Sequence, residues 1–133
     1  MLKQLLSQFT KEYWGGEDQL VHEEGSYHLS FEGDLVVSIK ELPNNGIGFT
    51  GIIGPLPDSK KEEYLLKAME ANLFGKETGE NVLALSSDGK KVVLTRSLFQ
   101  DIKYTDFRNI IEDFLNYLES WKIDTFAFAE ESK

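Results

Sequence analysis

The stretch Ser26-Tyr27-His28-Leu29-Ser30-Phe31-Glu32-Gly33-Asp34-Leu35-Val36-Val37-Ser38-Ile39 decides the fold class. Tyr27, Leu29 and Phe31 fall on one face of an extended chain, and Leu35, Val37 and Ile39 do the same after Glu32-Gly33-Asp34. Period-two alternation broken by a glycine-containing tight turn reads as a β-hairpin. The second strand runs to Leu42. Pro43-Asn44-Asn45-Gly46 is a second turn signal, and Ile47 to Ile53 a third strand. Gly48 and Gly51 within that strand suggest a bulge or a close approach by another element.

The period changes on both sides of this meander. Leu2, Leu5, Leu6 and Phe9 recur at i, i+3, i+4 and i+7, one apolar face of a helix. Tyr13 extends the face and Gly15-Gly16 ends it. After Pro55-Leu56-Pro57, Ser59 with Glu62 has capping-box spacing, so a second helix is expected to start there. Its apolar face is Leu65, Leu66, Met69 and Leu73, and Gly75 and Gly79 mark its end. Asn81 to Leu85 and Lys91 to Arg96 read as two more strands joined by Ser86-Ser87-Asp88-Gly89. Thr105 is the expected N-cap of the last helix, with Asp106 favourable to its dipole. Phe107, Ile110, Ile111, Phe114, Leu118 and Trp121 form the core stripe of that helix. The expected order is α-β-β-β-α-β-β-α: a single α+β domain over 1–123, with a largely antiparallel sheet and three helices. Residues 124–133 are an acidic tail containing Phe126 and Phe128.

Composition narrows the function. The chain has 133 residues, 41% hydrophobic and 28% charged, with 23 acidic against 14 basic side chains and a net charge of −9. That length suits one domain with a modest core. The negative field argues against nucleic acid and anionic lipid as partners. Cysteine is absent, which removes disulfides, thiolate nucleophiles and cysteine zinc sites. No apolar run reaches the ~18 residues that span a bilayer. Met1 to Phe9 is too polar and short for a signal-peptide core, so a cytoplasmic location is expected.

Catalytic groups are sparse. The two histidines are His22 and His28. His22-Glu23-Glu24 is the one cluster suited to acid–base or metal chemistry, and a solvated loop is its ordinary reading. No Gly-x-Ser-x-Gly and no phosphate-binding loop occurs, since neither Gly46-Ile47-Gly48 nor the Gly75 to Gly79 segment ends in Gly-Lys-Ser/Thr. The pairs Glu62-Glu63 and Glu130-Glu131 diverge on a helix and read as solvated surface. Trp14 and Trp121 suit a core or an interface. No cofactor and no metal is expected. What remains is apolar surface and the edges of a sheet, which bind protein segments.

The run Tyr64-Leu65-Leu66-Lys67-Ala68-Met69-Glu70-Ala71-Asn72-Leu73 resembles the leucine-rich helix ending in Glu-Ala-Asn of the class I type III secretion chaperones, the CesT/SycE-like family. The resemblance continues through Leu83-Ala84-Leu85, Asp88-Gly89 and Val92-Val93-Leu94-Thr95-Arg96. It extends to Tyr104-Thr105-Asp106-Phe107 and the last helix, and covers about residues 1 to 123. The Glu12 to Glu24 segment and the Phe126/Phe128 tail depart from the family pattern. The resemblance implies a non-enzymatic, dimeric, bacterial cytoplasmic chaperone serving virulence secretion. Such a chaperone holds the N-terminal chaperone-binding region of an effector in a secretion-competent state. It implies Leu2, Leu5, Phe9, Leu29, Phe31, Val37 and Phe49 as effector-binding residues. It implies Glu70, Leu73, Phe74, Val82 and Ala84 as the dimer interface. Two alternatives stand beside it. One is a regulatory subunit of a chaperone heterodimer that couples secretion to transcription. The other is a small hydrolase using His22, Glu23 and Glu24.

Overall fold

A computed structural model describes residues 1–16, 20–23, 25–75 and 77–131. Three helices, α1 (Leu2–Trp14), α2 (Lys61–Phe74) and α3 (Tyr104–Glu131), accompany six strands: β1 (Leu20–Glu23), β2 (Ser26–Phe31), β3 (Leu35–Leu42), β4 (Gly46–Pro55), β5 (Val82–Leu85) and β6 (Lys91–Leu98). The strands form one antiparallel sheet in the order β1-β2-β3-β4-β6-β5. The α+β class and the order of the eight expected elements hold.

Strand β1 is the addition. The sequence reading left Leu20–Glu23 in a solvated loop, because only two of its four residues are apolar. Pairing with β2 makes it a strand, from Leu20 opposite Leu29 to Glu23 opposite Ser26. The His22 ring stacks on Tyr27 with centroids 4.2 Å apart. A strand this short and exposed is created by its neighbour rather than by its own pattern.

The alternation read in β2 and β3 does what it should. Leu29, Val37 and Ile39 are buried on one face, joined by Ile47 and Phe49 of β4 and Leu94 of β6. Helices α1 and α3 cover that face, through Leu6 and Phe9 and through Phe107, Ile111, Phe114 and Leu118. Phe49 lies under α3, its ring centroid 6.0 Å from Phe107 and 6.1 Å from Phe114. Gly51 is where the helix comes closest: a β-carbon there would lie 2.7 and 2.9 Å from the Leu118 methyls. The close approach expected in this strand is therefore real, and the bulge falls nearby, between Ile52 and Gly54. On the opposite face, one register row crosses all six strands as Val21, His28, Ser38, Thr50, Thr95 and Val82. Val21 and Val82, at its two ends, are exposed.

Helix ends differ from the capping signals. Helix α2 begins at Lys61 after Lys60 in a left-handed conformation, with no side-chain cap. An N-cap normally holds extended backbone angles. The left-handed turn at Lys60 takes Ser59 away from the helix amides. Helix α3 begins before Thr105, since Lys103 O already accepts from Phe107 N–H at 3.0 Å. Asp106 still lies in its first turn.

The boundary expected after residue 123 is not a structural break. Helix α3 continues to Glu131, with Thr125 buried and its hydroxyl 2.7 Å from the Tyr64 hydroxyl. Phe128 packs edge-on against Tyr64 at 5.3 Å. Two successive turns thus meet Tyr64 of α2, one by a hydrogen bond and one by ring packing, which holds the helix beyond residue 123.

A polar latch ties the end of α1 to the start of α3. The Tyr104 hydroxyl donates to Glu12 at 2.6 Å and Arg108 donates to the other carboxylate oxygen at 3.1 Å. The Tyr13 hydroxyl donates to Glu112. The Tyr104 hydrogen bond holds the Glu12 carboxyl below its ordinary 4.5, with Arg108 adding to the effect. Burial and the Glu112 carboxylate push the Tyr13 phenol up to about 12, and burial and Glu12 push Tyr104 up as well.

Two outcomes follow from this packing. Gly51→Ala should cost about 1–3 kcal/mol in urea denaturation, the range for overfilling a packed site. Shortening Leu118 to Val in the same chain should reduce that cost, because the two residues are coupled. For the latch, raised phenol values mean stability that is complete below pH 10 and lost as pH rises through about 12. The depressed Glu12 value means stability present above 4.5 and lost as pH falls through its folded value. Tyr104→Phe should move the Glu12 titration back towards 4.5 in a carboxyl NMR titration; an unmoved titration would show that the bond does not form in solution.

Candidate partner-binding surfaces

Helix α2 presents its apolar stripe to solvent. Leu66, Met69, Leu73 and Phe74 are 58%, 68%, 77% and 75% exposed. The residues that α2 buries are Tyr64 and Ala71. The 3.6-residue period was read correctly, but the stripe does not face this chain's core. A monomer seldom leaves such a patch open, so it is the candidate contact surface.

The orientation of α2 is set by Asn72. Its side-chain amide donates to the Leu83 carbonyl at 2.9 Å, and its carbonyl accepts from the Leu83 N–H at 2.8 Å. Leu83 lies on β5, an edge strand. The Asn72 amide therefore takes the place of a neighbouring strand's peptide group and satisfies both backbone groups. This holds α2 along β5, with Val82 and Ala84 exposed on β5 itself. Glu70, Leu73, Phe74, Val82 and Ala84, the expected dimer residues, are all exposed on these two adjoining elements.

The expected effector-binding residues fall differently. Leu2, Leu5, Phe9, Leu29, Val37 and Phe49 are all buried in the core beneath α1 and α3. Only Phe31 is partly exposed, packed between Phe9 and Trp14. These six fill the interior instead of lining an open groove, because the faces of α1 and of the sheet that carry them close on one another. Sequence pattern marks an apolar face but does not say whether a helix of the same chain already covers it.

His22 and His28 do not converge. They pair with Tyr27 and Val21 in adjacent register positions and so lie on opposite faces of the sheet. His28 Nδ1 is 2.7 Å from the Ser38 hydroxyl. Glu24 lies outside the described residues. Among the described residues no group of three or more metal-ligating side chains comes together, and no helix is long and apolar enough to cross a membrane.

Arg96, read as the basic end of its strand, has a structural role. It bonds to Glu80 at 2.8 Å and lies 3.8 Å from Asp113, joining β6 to the loop before β5 and to α3. The Trp121 indole N–H donates to the Glu77 carbonyl at 2.9 Å and anchors the same loop.

This arrangement has counterparts. The model of the Tir chaperone protein (CesT) family matches residues 4–122. The chain belongs to that family. The Chlamydia pneumoniae protein CPj0713/CpB0740 is 35% identical over 126 residues, covering 93% of this chain and 95% of that protein. Among solved structures, the ExsC–ExsE complex is similar with a TM-score of 0.76 at 17% identity, over 93% of this chain and 92% of that one. The Yersinia pestis type III secretion chaperone SycH, solved with a stable fragment of YscM2, gives 0.67 at 20% identity, over 91% and 99%. At these identities the structures show a shared fold. The family model places this chain in a chaperone family, and the shared fold agrees with it.

Asn72→Ala should leave both backbone groups of Leu83 without a protein partner. A cost of about 1–3 kcal/mol is expected by denaturation. The Leu83 amide should lose hydrogen-exchange protection more than amides of β3. Equal loss across the sheet would contradict the edge-sealing role.

Proposed function

We propose that this chain is a dimeric bacterial cytoplasmic chaperone that binds the N-terminal segment of a type III secretion substrate and keeps it competent for export, without catalysis. The observation that carries this reading is the exposed stripe Leu66, Met69, Leu73 and Phe74 on a fold of the CesT family. Fully burying a side chain of this kind is worth about 1.5–3 kcal/mol. A two-fold pair buries the stripe of both protomers. Eight partly exposed side chains then supply on the order of 10 kcal/mol, a magnitude comparable to the association cost of about 4–15 kcal/mol. Glu70, Leu73, Phe74, Val82 and Ala84 are the proposed interface.

The open sheet supports the client-binding part of this reading. Asn72 closes the β5 edge, which leaves β1 as the edge where an extended segment can add. Holding a segment this way needs no nucleotide; it works by mass action. The net charge of −9 keeps a chain with exposed apolar surface soluble. The same α2 stripe accepts a second, different chaperone chain as readily as a copy of itself. The heterodimer reading therefore differs only in who the partner is.

The test is light scattering combined with co-expression. The wild-type chain should run at twice its 15.1 kDa mass. Leu73→Asp with Phe74→Asp should give a folded monomer. Co-expressed secretion substrates should be retained through their N-terminal segments and released when those segments are deleted. A strictly monomeric wild-type chain that retains no substrate would overturn the reading; a monomer that pairs only with another chaperone would select the heterodimer.

A further inference from the structure

The last three turns of α3 form one wall of an open trough of about 980 Å³. At about 1.5 Å per residue, this 28-residue helix is roughly 42 Å long. The family model's match ends at residue 122, before most of this wall. Trp121, Thr125 and Phe128 fix it from one side: Trp121 and Thr125 are buried, and Tyr64 of α2 meets Thr125 and Phe128. The neighbouring helix positions, Ile123 and Phe126, are left 62% and 69% exposed and line the trough.

The opposite wall is built where β4 stops pairing regularly. The bulge between Ile52 and Gly54 leads into Pro55-Leu56-Pro57, and Leu56 N–H is taken by the Lys90 carbonyl at 2.9 Å. Two prolines have no N–H to satisfy, so this wall is rigid and apolar without cost in unpaired donors. Leu35 and Ile53, both nearly fully buried, make the floor. The rim carries Asp58 and Glu119 against Lys122, on a chain of net charge −9.

We propose that this trough is a second binding site, which takes a short apolar segment flanked by lysine or arginine from a partner protein. The apolar walls supply the affinity, and the acidic rim selects the charge of the flanks. The walls are held by α2 and by the prolines before anything binds, so little ordering is required on the chaperone's side. The inference adds a place and a charge preference to the reading of the chain as a holder of client segments, and it rests on that reading.

The probe is a short fluorescently labelled amphipathic peptide of leucine and lysine, with a leucine and glutamate peptide as counterpart. Both are titrated into the full chain by anisotropy at physiological salt. The lysine peptide should bind, and the glutamate peptide at least about tenfold more weakly, a difference of about 1.4 kcal/mol. Ile123→Asp with Phe126→Asp should weaken the lysine peptide by at least about tenfold. Diffuse electrostatic attraction would instead tighten, because the variant is more acidic. Leu73→Asp with Phe74→Asp should leave peptide binding intact. Ile123→Ala with Phe126→Ala gives the same comparison if the aspartate variant does not fold.

Unchanged or tighter binding to the trough variants would overturn the proposal. So would equal binding of both peptides, or a fall in assembly mass on substituting Ile123 and Phe126, which would assign the trough to a second copy. Client retention separates this from the broader reading. If wild type retains substrate and the trough variant retains it equally, the trough site fails and the chaperone reading stands. If wild type retains none yet the lysine peptide still binds in the trough, the reverse holds.

Discussion

The contact on which the rest of the structure depends is that of α3 with β4. Phe49 sits beneath Phe107 and Phe114, and Gly51 lets Leu118 approach the sheet closely. Strand β4 is the central pairing partner, joined to β3 on one side and β6 on the other. A helix pressed onto this strand therefore fixes the curvature and height of the whole buried face. Helix α1 then packs in the remaining space, its Phe9 ring meeting Phe31 and Phe107 edge-on at 6.2 and 6.3 Å. With α1 and α3 covering one face, the third helix lies beside the sheet, held along β5 by Asn72.

That placement leaves the apolar stripe of α2 open. A helix lying along a strand edge can bury only a narrow strip. Here the strip is Tyr64 and Ala71 against the core and Asn72 against Leu83. Leu66, Met69, Leu73 and Phe74 are left outward. The same asparagine closes one edge of the sheet and aims the apolar stripe at solvent. Edge protection and the exposure of the stripe are therefore two consequences of a single side-chain amide. The Glu-Ala-Asn ending that first suggested the family now has a physical content in this chain: its asparagine substitutes for a strand.

The sequence-based expectations divide along a clear line. Elements with an unambiguous period were legible: α1 from Leu2, Leu5, Leu6 and Phe9, the β2–β3 hairpin, and the core stripe of α3. The site was legible only in part. Leu73 and Phe74 were placed on a contact surface and are exposed, while Leu2, Leu5, Phe9, Leu29, Val37 and Phe49 were placed in a groove and are core. Both sets look alike in one dimension, as apolar residues at regular spacing. Strand β1 was missed for a related reason: its stability comes from pairing with β2 and from His22 stacking on Tyr27, not from its own residues.

By itself, then, the sequence determined the α+β class, the order of the three α-helices and of five of the six described strands, and the acidic character. Those properties follow from local period, turn chemistry and charge, which each segment carries with it. Only the tertiary structure decided which apolar stripe closes on the core and which stays open, and that α3 runs on past residue 123. Burial is a property of pairs of surfaces. The exposure of the α2 stripe and of Ile123 and Phe126 depends on where Asn72, Tyr64 and the bulge of β4 hold the neighbouring elements. No single segment encodes that arrangement.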